Sequence, residues 1–166
     1  MSLVLQRLLE IDLDLWDKKI NFFEESSKEL KVPMENNTIT LHEFNLKLND
    51  LYSEVVYWYY EARRNKDAIE RLLETILKDY YKGQNELARK AAGIQLARGY
   101  PIHNIPFIPI NHRCVYNEKV NLFDLEDIIN GHYYKLAATI KSLQAKAEAK
   151  ITNNSLIKLE QNLTPS

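Results

Sequence analysis

The chain has 166 residues, 45% of them hydrophobic and 27% charged, with a formal net charge of −1. This is the balance of a soluble folded domain with a real core. The absence of any apolar run of about 18 residues excludes a membrane span. A single cysteine, Cys114, excludes an intrachain disulfide framework, and the acids among the first apolar residues are unlike a signal peptide, so a cytoplasmic protein is expected.

Only four glycines and five prolines punctuate the chain, which predicts few turns and long helices. A first helix is predicted over residues 3–31, with Ser2 as its cap and Leu5, Leu8, Leu9, Leu15, Trp16, Ile20 and Phe23 on its apolar face. Val32-Pro33 ends it, because the residue before proline is pushed out of helical conformation. A long central helix follows over residues 41–81. Thr40 and Glu43 form a capping-box signal at its start, and Gly83 is placed either to end it or to lie inside a longer rod. Its apolar residues step by three and four: Leu41, Phe44, Leu48, Leu51, Val55, Trp58, Ala62, Asn65, Ile69, Leu72 and Ile76. This is a coiled-coil seam of about five heptads. A rod of that length, about 60 Å, exceeds the width of a compact globule and needs cover from other helices of the chain or from a second copy. The segment Leu48 to Ile76 is therefore read as the seam of a homo-oligomer.

A third helix is predicted over residues 85–98, capped by Asn85 and closed by Gly99 and Pro101. Residues 99–121 carry Pro101, Pro106 and Pro109 among large β-forming hydrophobes. They read as an extended proline-rich arm with one edge strand or hairpin, packed on this chain or on a partner protein. The last helix is predicted over residues 122–151 with Asn121 as its cap. Leu122, Leu125, Ile129, Leu136, Ile140, Leu143, Ala147 and Ile151 form its buried stripe. Gly131 marks a kink or a close crossing in it, and Asn153-Asn154-Ser155 end it.

Charge is polarised along the chain. Residues 1–61 hold 12 Asp and Glu against 6 Lys and Arg, and residues 62–166 hold 11 against 16. Such asymmetry permits head-to-tail attraction between copies, a surface for a polyanion, or mutual neutralisation of two halves folded together. The densest candidate site is Tyr57-Trp58-Tyr59-Tyr60-Glu61-Ala62-Arg63-Arg64-Asn65-Lys66. Bases stack on aromatic rings and cations neutralise phosphate, so Tyr57, Tyr60, Arg63, Arg64 and Lys66, with Arg89, Lys90 and Arg98, are candidate contacts for single-stranded nucleic acid. Lys135, Lys141, Lys146 and Lys150 add a basic run on the last helix. The blander reading makes the tyrosines line helix contacts with their hydroxyls at the rim, and the cations a solvated face.

Asn65 interrupts the seam, either fixing register or marking a local kink or a small hole that accepts a side chain from the first helix. His103, His112 and Cys114 match no closed zinc spacing, so no metal or cofactor is expected. Cys114 beside Arg113 is at most a modestly activated thiol. Asp124 and Asp127 fit a helix's first turn without catalysis, and no phosphate loop or nucleophile elbow is present. The stretch from Leu51-Tyr52-Ser53 to Asp79-Tyr80-Tyr81-Lys82-Gly83 resembles the recombination-mediator proteins of T4-like phages, which are small, helical and oligomeric and load a recombinase onto single-stranded DNA. That resemblance implies phosphate contacts at Arg63, Arg64, Lys66 and the later basic residues. The expected fold is all-α: one helical domain forming an antiparallel bundle or coiled-coil hairpin. The leading expectation is a non-enzymatic assembly or adaptor protein, phage or mobile-element encoded; the alternative is a mediator-type nucleic-acid binder.

Overall fold

A computed structural model describes residues 3–34, 37–79, 85–102 and 112–163. The fold is all-α in class, with five helices and a small sheet among the described residues. The predicted first helix is two helices, α1 (Leu3–Leu9) and α2 (Leu13–Glu29). Asp12 makes the break: its carboxylate accepts the Leu15 amide at 3.0 Å and its carbonyl accepts the Trp16 amide at 3.1 Å. A carboxylate that satisfies orphan amides starts a helix more readily than it continues one.

The long helix α3 spans Thr38–Asp79. It begins earlier than the Thr40 signal suggested, because the Asn37 side chain accepts the Ile39 and Thr40 amides at 2.9 and 3.3 Å. Asparagine is the stronger cap. Gly83 lies outside the described residues, and so does the question of whether it interrupts a longer rod. Helix α4 spans Glu86–Arg98; the Asn85 side chain accepts the Ala88 amide at 2.8 Å, and the Gly99 amide donates to the Leu96 carbonyl.

Part of the expected arm is a sheet. Strands β1 (Tyr100–Pro101), β2 (Val115–Tyr116) and β3 (Lys119–Val120) pair antiparallel in the order β1-β3-β2. Asn117 and Glu118 join β2 to β3 with φ of 50° and 57°, the positive pair that a two-residue type I′ hairpin turn requires. Pro101 sits on an edge strand, where a missing amide costs no ladder bond. Residues 103–111, with His103, Pro106 and Pro109, lie outside the described residues.

Helix α5 spans Leu122–Leu163, starting at the Asn121 cap, whose side chain accepts the Phe123 and Asp124 amides. It does not end at Asn153-Asn154-Ser155. Those residues are mediocre helix formers, each costing a fraction of a kcal/mol, and are not breakers. Gly131 is not a close crossing point: the helix runs through it, and a Cβ placed there meets nothing within 4 Å. Gly131→Ala is therefore expected to stabilise the protein by about 1 kcal/mol, read as a higher urea midpoint with an unchanged m-value.

Its internal contacts divide the chain into two compact units: Met1–Trp16 with Glu61–Tyr133, and Asp17–Tyr60 with Tyr134–Ser166. In the first, one core joins Leu5, Leu8 and Leu9 of α1 with Ile69, Leu73 and Ile76 of α3, Ala97 of α4, Ile102, Cys114 and Val120 around the sheet, and Leu122, Leu125 and Ile129 of α5. In the second, Ile20, Phe23, Phe44, Leu48, Val55, Leu136 and Leu143 are buried. There Tyr52 pairs with Gln144 and Asn45 with Lys150, so α3 runs antiparallel to α5. Ser27 and Leu30 pair with Ser142 and Lys146, so α2 runs parallel to it.

Helical periodicity explains these faces. Leu48, Val55, Ala62, Ile69 and Ile76 recur every seven residues along α3 and all are buried. The intervening Leu51, Trp58 and Leu72 are half-buried; Leu73 replaces Leu72 in the core, and Asn65 is 7% exposed. Two more stripes, stepping by three and four, are buried: Leu13, Trp16, Ile20, Phe23 and Ser27 of α2 with Leu30 just beyond it, and Leu122, Leu125, Ile129, His132, Leu136, Thr139 and Leu143 of α5. Against expectation, Leu15 and Ile151 are exposed, and Ile140 and Ala147 only half-buried. The α3 seam is thus covered by the helices of a single chain. Among the described residues, no helix is long and apolar enough to cross a membrane.

Candidate functional site

Three surfaces arise from this fold: a cleft flanked by α2 and α3, the outer face of α4, and the aromatic-basic stretch of α3. The cleft belongs to the second unit. In the same unit, Lys146 of α5 donates to the carbonyls of Ser27 and, at 2.6 Å, of Leu30. Those carbonyls close α2, so the ammonium occupies the place where a cation best meets a helix C-terminus. Burial pulls the Lys146 pKa below the ordinary lysine range. This clamp fixes where α2 ends and where residues 30–34 leave it. Between α2, residues 30–33 and α3 lies a groove of about 680 Å³ whose apolar lining includes Phe22, Leu30, Phe44 and Leu51. Its rim carries Glu29, Glu43, Asp50 and Glu54 against Lys31 and Lys47, so it is acidic. Phe22 is 56% exposed.

Helix α4, in the first unit, turns Gly93 and Ala97 inward. On its opposite side Leu87, Ala91, Ile94 and Arg98 follow helical spacing and are exposed, Leu87 at 79%. The helix carries Arg89, Lys90 and Arg98 against one acid, Glu86. It therefore shows solvent an apolar stripe on a basic background.

Neither surface was foreseen, although a signal existed. Phe22 falls off the three-four stripe of α2, and Leu87 and Ile94 fall off the packed side of α4. An apolar residue off the buried stripe must be explained by something outside its own helix.

In the aromatic-basic stretch, Tyr57 and Tyr60 are 63% and 59% exposed, not tucked at a helix rim. Trp58 and Tyr59 are half-buried, with Lys19 over the Trp58 ring at 5.9 Å. Arg63 and Arg64 are exposed. Lys66 is drawn away: it pairs with Glu70 and lies over the Tyr133 ring at 5.4 Å, so it does not join a phosphate-facing set. On α4, Arg89 donates to the Asn85 carbonyl and Lys90 faces Glu86 at 3.6 Å, while Arg98 is exposed. The basic run of α5 is split: Lys146 and Lys150 are engaged by α2 and Asn45, and Lys135 and Lys141 are exposed.

His132 is buried and stacks on Trp16 at 5.2 Å. The His112 Nδ1 accepts the Cys114 amide at 3.1 Å, and burial, helped by Arg113, lowers its pKa, so the ring is neutral at pH 7. Cys114 is not an activated thiol. Burial and Asp124 push its pKa up to about 11, outweighing Arg113. Burial raises the Glu126 pKa, with Glu70 and Asp127 adding to it. No cluster of metal-ligating side chains occurs among the described residues.

No protein-family model, no curated protein and no solved structure matches the chain.

Proposed function

We propose that this chain is a non-enzymatic helical assembly protein whose copies associate in the cytoplasm. In this reading α2, α3 and α5 form a coiled-coil hairpin frame, and their heptad seam holds each copy together internally. Association between copies then uses what the frame leaves bare. The observation that carries the reading is the coexistence of two exposed apolar faces of opposite charge, the acidic groove with Phe22 and the basic outer face of α4 with Leu87. A soluble monomer rarely keeps such contiguous apolar surface uncovered without a use for it. The test is molar mass by light scattering over two decades of protein concentration. A mass rising above the 19.5 kDa of one chain supports the reading, and 19.5 kDa throughout overturns it.

A second reading, a single-stranded nucleic-acid binder of the mediator type, is favoured by the exposure of Tyr57 and Tyr60 close in sequence to Arg63 and Arg64. It ranks lower because residues 54–74 hold four Lys and Arg against five Asp and Glu, which is poor neutralising power for phosphate. A binder is expected to lose affinity for labelled single-stranded DNA steeply with salt, and the double variant Arg63→Ala with Arg64→Ala is expected to weaken it further while staying folded. Equal affinity in that variant would end this reading.

A further inference from the structure

We infer that the groove between α2 and α3 receives α4 of a second copy, so that association is head-to-tail. This rests on the assembly reading above and names its contact. Three features fit the two surfaces to each other. The first is length: the groove follows α3 from Thr40 to Glu54, about 21 Å of helix, and the exposed stripe of α4 from Leu87 to Arg98 covers about 17 Å. The second is chemistry. Phe22 stands 56% exposed at the groove, and Leu87 and Ile94 stand exposed one helical repeat apart on α4, so an apolar ridge meets an apolar trough. The third is charge. The rim holds four acids against two lysines, and the exposed stripe of α4 carries Arg98 and is flanked by Lys90. Like surfaces meeting face to face would repel at either place, so complementarity selects the unlike pairing.

Each copy carries one groove and one α4, and the two patches differ. Each single contact is therefore between unlike patches, and the assembly either closes, as a reciprocal two-fold pair or a ring, or extends from copy to copy. One helix in one groove is a small interface, so association is weak and concentration-dependent. Salt reduces it without abolishing it, because the apolar part is unscreened.

The experiment is sedimentation of the full chain and of two variants, Phe22→Glu in the groove and Leu87→Asp on α4. Both residues are exposed, and an acid in the first turn of α4 suits the helix dipole, so both variants keep the fold, checked by circular dichroism. Each variant alone is expected to associate at least tenfold more weakly than the native chain. Mixed in equal amounts, they are expected to regain a one-to-one complex, because Phe22→Glu still offers an intact α4 and Leu87→Asp an intact groove. A native chain that stays monomeric overturns this inference together with the assembly reading. A native chain that associates while either variant associates equally well overturns the inference alone, as does a mixture that regains nothing. Should Leu87→Asp lower the melting temperature of the monomer and leave association unchanged, the outer face of α4 is covered by its own chain, and the inference again fails.

Discussion

Replacing Ile69 by alanine is expected to destabilise the protein by about 2–5 kcal/mol, and by the same amount at every protein concentration. Ile69 is fully buried in the core shared by α1, α3, α4, the sheet and α5. Removing its branched side chain forfeits transfer free energy and leaves a cavity that a helix held by several neighbours cannot close. Concentration is the informative variable. If the α3 seam were the interface of an oligomer, folding and association would be one reaction, and the unfolding midpoint would climb with protein concentration. With the seam covered inside one chain, the native protein and Ile69→Ala are expected to keep a constant separation, and in the Phe22→Glu background, where copies do not associate through the groove, both midpoints are expected to stay put. Urea unfolding at two concentrations a hundredfold apart reads both quantities. A midpoint that climbs even in the Phe22→Glu background would return the seam to the role of an oligomer interface.

The second large effect is expected at Lys146. Lys146→Met keeps most of the aliphatic stem and removes the charge, isolating the bonds to the Ser27 and Leu30 carbonyls. A hydrogen bond from a charged donor contributes about 1.5–3 kcal/mol, and partly buried carbonyls left without a partner add a desolvation cost. The expected loss is about 2–3 kcal/mol in urea unfolding. The exposed Lys141 is the control: Lys141→Met is expected to change stability by no more than about 0.5 kcal/mol. Equal effects at the two lysines would mean that Lys146 does not clamp the end of α2. The same variant is expected to loosen residues 30–34 at the groove, so its hydrogen-exchange protection should fall there first.

Much of the helical frame could be read locally. A buried residue every three or four positions needs only the pitch of the helix, and the caps at Asn85 and Asn121 need only side chains that reach amides two or three residues away. Even local reading went astray where two local signals competed. Asp12 lies in an apolar-periodic stretch and also makes a good cap, and the cap won. At Thr40 a capping box was legible, but Asn37 reached the orphan amides first. At residues 153–155 weak helix formers resembled a stop, while α5 had no glycine or proline there to end it.

The candidate surfaces were far less legible. The tyrosines and arginines of α3 attracted attention through their density, yet Lys66 turned out to be engaged by Glu70 and Tyr133. The groove went unseen because its walls come from two helices and from Leu30, Lys31 and Pro33 beyond the first of them. By itself the sequence determined the all-α class, the heptad stripes and most helix starts, because these depend on spacings shorter than two helical turns. Only the tertiary structure decided that the α3 seam is covered within one chain, that Lys146 is a clamp and not part of a basic stripe, and that Phe22 and Leu87 are left bare. Burial and charge pairing are set by neighbours that in these cases lie far along the chain, such as Leu30 for Lys146, and no local spacing records which neighbours will arrive.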